Sequence, residues 1–140
     1  MDHVGVVVDD LAAAIEFFVA LGLEAEGSQS VEGESVDRIT GLKGTRLQRA
    51  FVQTPDGHGR LELVEFHSPA YAGEGRLEPS NAPGIRHVTF AVDDLDAVLS
   101  GLRDHGAELV GEVQNYENVD KLCYVRGPGG IIVELAERLG

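Results

Sequence analysis

Two histidines and two glutamates stand at matching places in two copies of one sequence pattern. The segment HVGVVVDDL begins with His3, and the segment HVTFAVDDL begins with His87. Each copy ends in a strand-like segment that carries a glutamate, Glu62 in RLELVE and Glu134 in IIVELAE. Imidazole nitrogens and carboxylate oxygens are ligands that suit Zn, Ni, Co, Fe or Mn. The duplication therefore predicts one divalent metal site, to which each half contributes a histidine and a glutamate.

The alternation of side chains along a strand separates a candidate binding face from an apolar face. His3 shares one face of the first predicted strand with Gly5 and Val7, whereas the opposite face is bulky and apolar. The strand that begins at His87 repeats this arrangement. We expect the apolar face to pack against a helix, and the histidine face, with its smaller side chains, to leave room for a ligand.

The strand that ends the first half contains two glutamates, and alignment of the two halves selects one of them as the ligand. Matching the strand ends pairs Glu62 with Glu134 and Glu65 with Glu137. A carboxylate between apolar neighbours on a half-buried strand needs a partner, because burying an isolated charge is costly. A metal ion would supply that partner for Glu62 and Glu134, and Glu65 and Glu137 are predicted to lie on the rim.

Hydrophobic periodicity and turn residues predict the element order βαβββ twice. In the first half, a helix over LAAAIEFFVALG is predicted to begin after Asp9-Asp10 and to end at Gly22, with a short helical turn near VDRITGL. The predicted strands cover residues 2–9, 23–30, 47–53 and 61–66 in the first half, and 86–93, 107–113, 122–126 and 131–137 in the second, which has its helix at 94–105.

This order indicates an α+β fold with a mixed sheet in each module. The chain of 140 residues is expected to form a single domain of two modules, residues 1–67 and 85–140. The segment 68–84 is rich in Pro, Gly and Ala without periodicity, and it is predicted to be the linker.

Composition excludes several classes of protein. A net charge of −13 disfavours nucleic acid as a partner, because phosphate binding needs clustered Lys and Arg, although it is compatible with a cationic ligand. No long apolar run predicts a membrane span, and the chain enters a strand at once rather than a secretory signal. One cysteine, Cys123, excludes an internal disulfide and fits a reducing compartment, so a cytoplasmic location is expected.

The segments DHVGVVVDDLAAAIEFFVALGLE, RLELVEF, GIRHVTFAVDDLDAV and GPGGIIVELAE together resemble the vicinal oxygen chelate superfamily. It includes glyoxalase I, methylmalonyl-CoA epimerase, extradiol dioxygenases, fosfomycin-modifying enzymes and bleomycin resistance proteins. The resemblance implies paired βαβββ modules whose sheets curl around a shared metal-binding cleft, and a homodimer. In glyoxalase I-like and epimerase-like members each module offers a histidine on its first strand and Glu or Gln on its last, a set matched by His3, Glu62, His87 and Glu134.

The same resemblance implies a metal-dependent isomerase or lyase that removes a proton next to the carbonyl of a small chelating substrate. Glu134 or Glu62 would act as the base, and Glu134 is favoured. The alternative is a protein that binds an antibiotic or another small molecule without catalysis. A ring-cleaving dioxygenase is a third interpretation. By the resemblance, such members have a metal site of two histidines and one carboxylate, so a fourth ligand at Glu62 argues against it.

Several polar residues are weaker candidates for substrate binding. Three polar side chains on or before one predicted strand either line the cleft and hold an anionic substrate or belong to a solvated sheet edge: Arg46, Arg49 and Gln53. A polar loop, flanked by Tyr116 and Lys121, is either a lid or an ordinary loop. The remaining histidines and the cysteine are not assigned to the metal: His58, His67, His105 and Cys123.

Overall fold

The chain divides into two compact units, each of which is an α+β module. A computed structural model describes residues 1–75 and 77–140, and the units are Met1–Gly75 (unit 1) and Arg76–Gly140 (unit 2). Their boundary lies within the segment predicted as a linker. In the described part of the chain each unit contains a mixed five-stranded sheet, which confirms the predicted fold class.

Unit 1 places its first and last strands side by side. Its sheet has the order β1-β5-β4-β2, with β3 also paired to β4, and β1 is parallel to β5 while the other pairs are antiparallel. The elements are β1 (Val4–Val7), α1 (Leu11–Leu21), β2 (Glu24–Ala25), β3 (Gln29–Glu32), α2 (Glu34–Thr40), β4 (Arg46–Gln53) and β5 (Arg60–Ser68).

Unit 2 repeats this topology. Its sheet has the order β6-β10-β9-β7, with β8 also paired to β9, and β6 is parallel to β10. The elements are β6 (His87–Ala91), α3 (Leu95–Arg103), β7 (Glu108–Leu109), β8 (Gln114–Tyr116), β9 (Asp120–Arg126), a 3₁₀ turn (Pro128–Gly130) and β10 (Ile132–Arg138).

Helix α1 begins and ends at the predicted residues. The Asp10 carboxylate accepts a hydrogen bond from the Ala13 amide at 3.0 Å, and Gly22 adopts the left-handed conformation with φ of 119°. Asp94 caps α3 in the same way. The buried residues of α1 are Leu11, Ala14, Phe17, Phe18 and Leu21. Within residues 1–75 and 77–140, no helix has the length and apolar character that crossing a bilayer requires.

The two faces of each sheet differ as the alternation predicts. In β1, Val6 is buried whereas Val7 is 60% exposed, and in β5 the side chains of Leu61 and Leu63 are buried. In β6 the single buried residue is Phe90, in the part of the chain that the structure describes. The helix therefore covers one face of each sheet and leaves the histidine face open within that unit.

The prediction of continuous strands over 23–30 and 107–113 is wrong, because the structure interrupts both. Residues 26–28 oppose two residues of β4, so one extra residue separates β2 from β3. Residues 110–113 oppose two residues of β9, so β7 ends at Leu109. The polar loop predicted over 114–121 instead contributes β8 and the start of β9, joined by a turn with positive φ at Glu117 and Asn118.

Candidate functional site

In unit 1 the register of the parallel strands brings the predicted histidine and glutamate together. Gly5 pairs with Glu62, and His3 lies two residues before Gly5 and thus on the same face. His3 is one residue outside β1 as the structure defines it. Its Nε2 atom is 3.8 Å from Oε1 of Glu62. Because Gly5 has no side chain, nothing is interposed between the imidazole and the carboxylate from that position.

The other ring nitrogen of His3 is occupied by a carboxylate. Nδ1 lies 2.6 Å from Oδ2 of Asp2, and since an ionised carboxylate can only accept, Nδ1 carries the hydrogen. This hydrogen bond holds the pKa of Asp2 below its ordinary value. A carboxylate on the remote nitrogen is the usual outer partner of a metal-binding histidine, because it fixes the tautomer and the ring orientation. In the neutral imidazole, Nε2, the nitrogen that faces Glu62, then carries the lone pair that a metal ion needs.

The second oxygen of Glu62 is held by an arginine. Nη1 of Arg49 donates to Oε2 of Glu62 at 3.0 Å, and Nε and Nη2 of Arg49 both donate to Oε1 of Gln29 at 3.3 Å. The Glu62 side chain is 19% exposed and that of Arg49 is 37% exposed. The sequence suggested Arg49 for substrate binding, whereas the structure places it beside a candidate ligand. Asp2 and Gln29 were missed, and only the strand register identifies Gln29.

Unit 2 repeats the placement of histidine and glutamate with different neighbours. His87 is the first residue of β6, and Thr89 pairs with Glu134 of β10. The Thr89 hydroxyl donates to Oε1 of Glu134 at 2.7 Å. Among the described residues of unit 2, no ion pair joins His87 to Glu134.

An aromatic ring packs against each histidine. The ring centroids of His87 and Tyr124 are 5.1 Å apart at an interplanar angle of 32°. In unit 1 the corresponding ring is Phe51, 5.3 Å from His3 at 85°. Phe51 is the register partner of Glu62, and Tyr124 is that of Glu134, so both rings lie on the candidate face. Each ring restricts the imidazole beside it.

Among the described residues, the other substrate-binding candidates make no hydrogen bond or ion pair with the His–Glu pairs. Arg46 begins β4 and is exposed, Gln53 ends β4 and is half-buried, and Tyr116 ends β8 with 59% exposure. Nζ of Lys121 lies 2.5 Å from Oδ2 of Asp96 in the first turn of α3, and this hydrogen bond raises the pKa of Lys121. Lys121 thus pairs with the helix of its own unit.

The second pair of glutamates supports the helices, so the prediction that they lie on the rim is wrong. Oε1 of Glu65 accepts a hydrogen bond from the Leu11 amide at 3.3 Å, and Oε2 of Glu137 accepts one from the Leu95 amide at 2.7 Å. Both amides belong to the first residue of a helix, where N–H groups lack intrahelical partners. Glu65 is three residues from Glu62 and therefore on the opposite face, which supports Glu62 as the ligand.

The nitrogen and oxygen atoms that each unit offers are of the kinds that bind a divalent ion. Each unit alone, however, offers only one histidine and one glutamate of the proposed set. Neither unit gathers three or more His, Cys, Asp or Glu side chains into a metal-binding group, within the residues that the structure describes. His3 and Glu62 nevertheless present one nitrogen and one oxygen toward each other, with their remaining polar atoms occupied by outer partners. The full set of His3, Glu62, His87 and Glu134 requires both units and stays a prediction.

Comparisons with known proteins identify relatives along the whole chain. A solved structure of a glyoxalase family protein from Bacillus cereus is 49% identical, covers 100% of this chain and 94% of its own, and superimposes with a TM-score of 0.94. The uncharacterised protein YwbC of Bacillus subtilis is 26% identical over 99% of this chain and 97% of its own length. An ethylmalonyl-CoA/methylmalonyl-CoA epimerase from Cereibacter sphaeroides is 29% identical over 79% of this chain and 74% of its own length.

A sequence profile of the glyoxalase/bleomycin resistance protein/dioxygenase superfamily matches residues 1–135. That match covers unit 1, all but the last five residues of unit 2, and every residue of the two predicted His–Glu pairs. The chain belongs to the glyoxalase/bleomycin resistance protein/dioxygenase superfamily.

Proposed function

We propose that the chain is a metal-dependent isomerase or lyase of the glyoxalase or epimerase type. It would act on a small substrate that chelates the ion and carries a proton next to a carbonyl. Members of the superfamily commonly bind a divalent metal ion. The ligands proposed are His3, Glu62, His87 and Glu134.

One observation carries this proposal, the arrangement of atoms around His3. Nε2 faces a carboxylate oxygen at 3.8 Å while Nδ1 donates to Asp2. A histidine with only a structural role needs no particular nitrogen free, whereas a ligand needs one oriented lone pair. The equivalent His–Glu placement in unit 2 extends the argument to the second half of the proposed ligand set.

Glu134 is the proposed base, and it would leave the metal ion to take up that role. When bound, a divalent ion would polarise the substrate carbonyl and stabilise the negative charge that develops on its oxygen. Glu134 is held at Oε1 by a neutral hydroxyl, and its Oε2 would accept the α-proton. Epimerisation requires that the same carbon is protonated again on its opposite face, by water or a second acid, whereas protonation of the neighbouring carbon gives isomerisation. Glu62, paired with a guanidinium, is less free to move.

The substrate class to test first is an acyl-CoA thioester with an acidic α-hydrogen. The epimerase relative, by its name, acts on such thioesters. The hemithioacetal of a 2-oxoaldehyde is the matching glyoxalase-type substrate. Both offer a carbonyl with an adjacent removable proton.

Proton exchange measures the proposed step without requiring net turnover. The metal-free chain, reloaded with Zn²⁺, Ni²⁺, Co²⁺ or Mn²⁺, is incubated with each substrate in D₂O, and loss of the α-proton signal is followed by NMR. We expect exchange that depends on the added ion and stops with a chelator. Failure of the chain to bind any of these ions would overturn the proposal.

Ligand sequestration is the competing function, and the net charge of −13 favours a cationic ligand for it. Titration with cationic drugs by calorimetry separates the two. Tight binding that is unchanged by His3→Ala and Glu134→Ala, together with no proton exchange, would favour sequestration.

A further inference from the structure

We propose that Arg49 and Gln29 are positioning residues that hold Glu62 in one orientation, so that Glu62 presents a single oxygen, Oε1, to the metal ion. We refer to these two residues as the Arg49–Gln29 clamp. The inference rests on the proposed metal site and concerns how one of its ligands is prepared.

The strand register builds the clamp. Gln29 of β3 is the direct cross-strand partner of Arg49 of β4. Two adjacent N–H groups of the guanidinium, Nε and Nη2, converge on the Gln29 side-chain oxygen at 3.3 Å each. This fork sets the plane of the guanidinium and turns Nη1 toward Oε2 of Glu62 at 3.0 Å. Arg49 is thus oriented by one neighbour and orients another.

The clamp leaves the two oxygens of Glu62 with different roles. Oε2 accepts a charge-assisted hydrogen bond, while Oε1 is the atom that lies 3.8 Å from Nε2 of His3. An ion bound between His3 and Glu62 would therefore receive one oxygen from this carboxylate. A ligand that is already oriented loses less conformational freedom on binding, so the clamp should raise metal affinity.

The described residues of unit 2 contain no equivalent of the clamp. Ala50 and Cys123 are matching positions, because they pair with Leu63 of β5 and Leu135 of β10. The residue before Cys123 is Leu122, so an apolar side chain takes the place of Arg49. Orientation by a cation is a property of the unit 1 glutamate.

The positive charge of Arg49 also opposes a bound cation, and two observations favour orientation as the larger effect. The Arg49 side chain is 37% exposed, so water and salt screen its repulsion of the ion. Its hydrogen bonds to Gln29 and Glu62 act only at short range and need the planar fork of the guanidinium, whereas its repulsion of the ion does not. Substituting Lys for Arg separates the two effects, because Lys keeps the charge but lacks the planar fork.

Calorimetric titration of the metal-free chain tests the clamp. We expect Arg49→Met to weaken binding of Zn²⁺ or Co²⁺ by about 10- to 100-fold, the usual effect of losing an outer partner of a ligand. Arg49→Lys should show most of this loss, and Gln29→Leu a smaller one. Arg38→Met, which removes an exposed charge paired with Glu34 in α2, should bind as tightly as the unchanged chain.

A spectrum and an unfolding measurement distinguish positioning from a structural role. The visible absorption of bound Co²⁺ at saturation should change in Arg49→Met and not in Arg38→Met, because the coordination by Glu62 changes. The unfolding temperature of the metal-free variants controls for folding. Should Arg49→Met not fold, Gln29→Leu decides, since Gln29 is exposed and neutral.

The outcomes separate this inference from the proposed function. Unchanged or tighter metal binding by Arg49→Met, or by Gln29→Leu if that variant decides, overturns the clamp and leaves the proposed function intact. Absence of metal binding by the unchanged chain overturns both.

Discussion

The two units share one backbone plan and differ in what surrounds the candidate ligands. In both, a histidine at the start of one strand shares a face with a glutamate on the parallel neighbour. Glu62 pairs with a charged guanidinium, whereas Glu134 accepts from the Thr89 hydroxyl. The duplication has kept the register and changed the neighbours. Under the proposed function, Glu62 would be an oriented ligand in unit 1 and Glu134 the base in unit 2.

The largest expected effect tests this division of roles. Glu134→Gln should slow metal-dependent proton exchange by about 10²- to 10⁴-fold, the range for loss of a general base. Glu62→Gln should instead mainly weaken metal binding, with exchange recovered at high metal concentration. NMR exchange rates and calorimetric affinities, measured on both variants, check this. Equal effects of the two variants on both quantities would contradict the division of roles.

Matched core substitutions test whether the two units are equally stabilised. Leu63 and Leu135 occupy equivalent positions, and each is 0% exposed. We expect Leu63→Ala and Leu135→Ala each to lower the free energy of unfolding by about 2–5 kcal/mol, because each leaves a cavity. Urea denaturation measures the loss, with Val19→Ala on the exposed side of α1 as the control. A loss below about 1 kcal/mol for either variant would show that its unit collapses around the cavity.

The helix-supporting glutamates give a smaller and unequal pair of effects. We expect Glu137→Ala to destabilise the chain by about 1–3 kcal/mol, because the Leu95 amide loses a charged acceptor. Glu65→Ala should cost less, since its hydrogen bond to Leu11 is 3.3 Å long rather than 2.7 Å. Thermal unfolding followed by circular dichroism ranks the variants. The matching Gln variants, which keep an acceptor oxygen, should recover part of the loss, and a reversed ranking would contradict the distances.

The smallest effect concerns a carboxylate in α2, an element without a counterpart in the described part of unit 2. The Thr45 and Gly44 amides donate to Asp37 at 2.7 and 3.0 Å, and these hydrogen bonds lower its pKa, the Thr45 bond most. A lowered folded-state pKa means stabilisation that is present above the ordinary value of 3.8 and is lost as the pH falls through the folded-state value.

Asp37→Asn should accordingly lower the unfolding temperature at neutral pH, with the difference from the unchanged chain shrinking below about pH 4. Thermal unfolding at a series of pH values measures this. Asp104→Asn, at the exposed end of α3, is the control. A difference that grows on acidification would show that these hydrogen bonds do not stabilise the charged form.

The sequence predicted the fold because its strongest signals are local and repeated. Asp10 and Gly22 mark the ends of α1 by side-chain capping and positive φ, and the structure confirms both. The breaks in these strands were not predicted, because one extra residue opposite β4 and two extra residues opposite β9 change the pairing without changing the alternation of residue types. The positive φ of Asn118 reflects a known preference of asparagine, and it was the available signal for the turn after β8.

The candidate site was predicted where it depends on the repeat and missed where it depends on register. His3 and Glu62 follow from alignment of the two halves, and the structure brings their Nε2 and Oε1 atoms to 3.8 Å. The contact between Arg49 and Glu62 joins residues that are not direct cross-strand partners, since Arg49 pairs with Val64. Such a diagonal contact depends on side-chain length and on the displaced pairing of β3, which one sequence does not reveal.

Because Glu62 and Glu65 are three residues apart on one strand, they face opposite sides of the sheet, and the same holds for Glu134 and Glu137. Inserting a single residue into β5 ahead of Glu62 would carry Glu62 beneath α1 and bring Glu65 out to the histidine side. Glu65 would then no longer accept the hydrogen bond from the Leu11 amide, and Glu62 would no longer face His3. We therefore expect an insertion within β5 or β10 to be more disruptive than one in a turn, because a shift by one residue exchanges the faces on which the two glutamates of the strand lie.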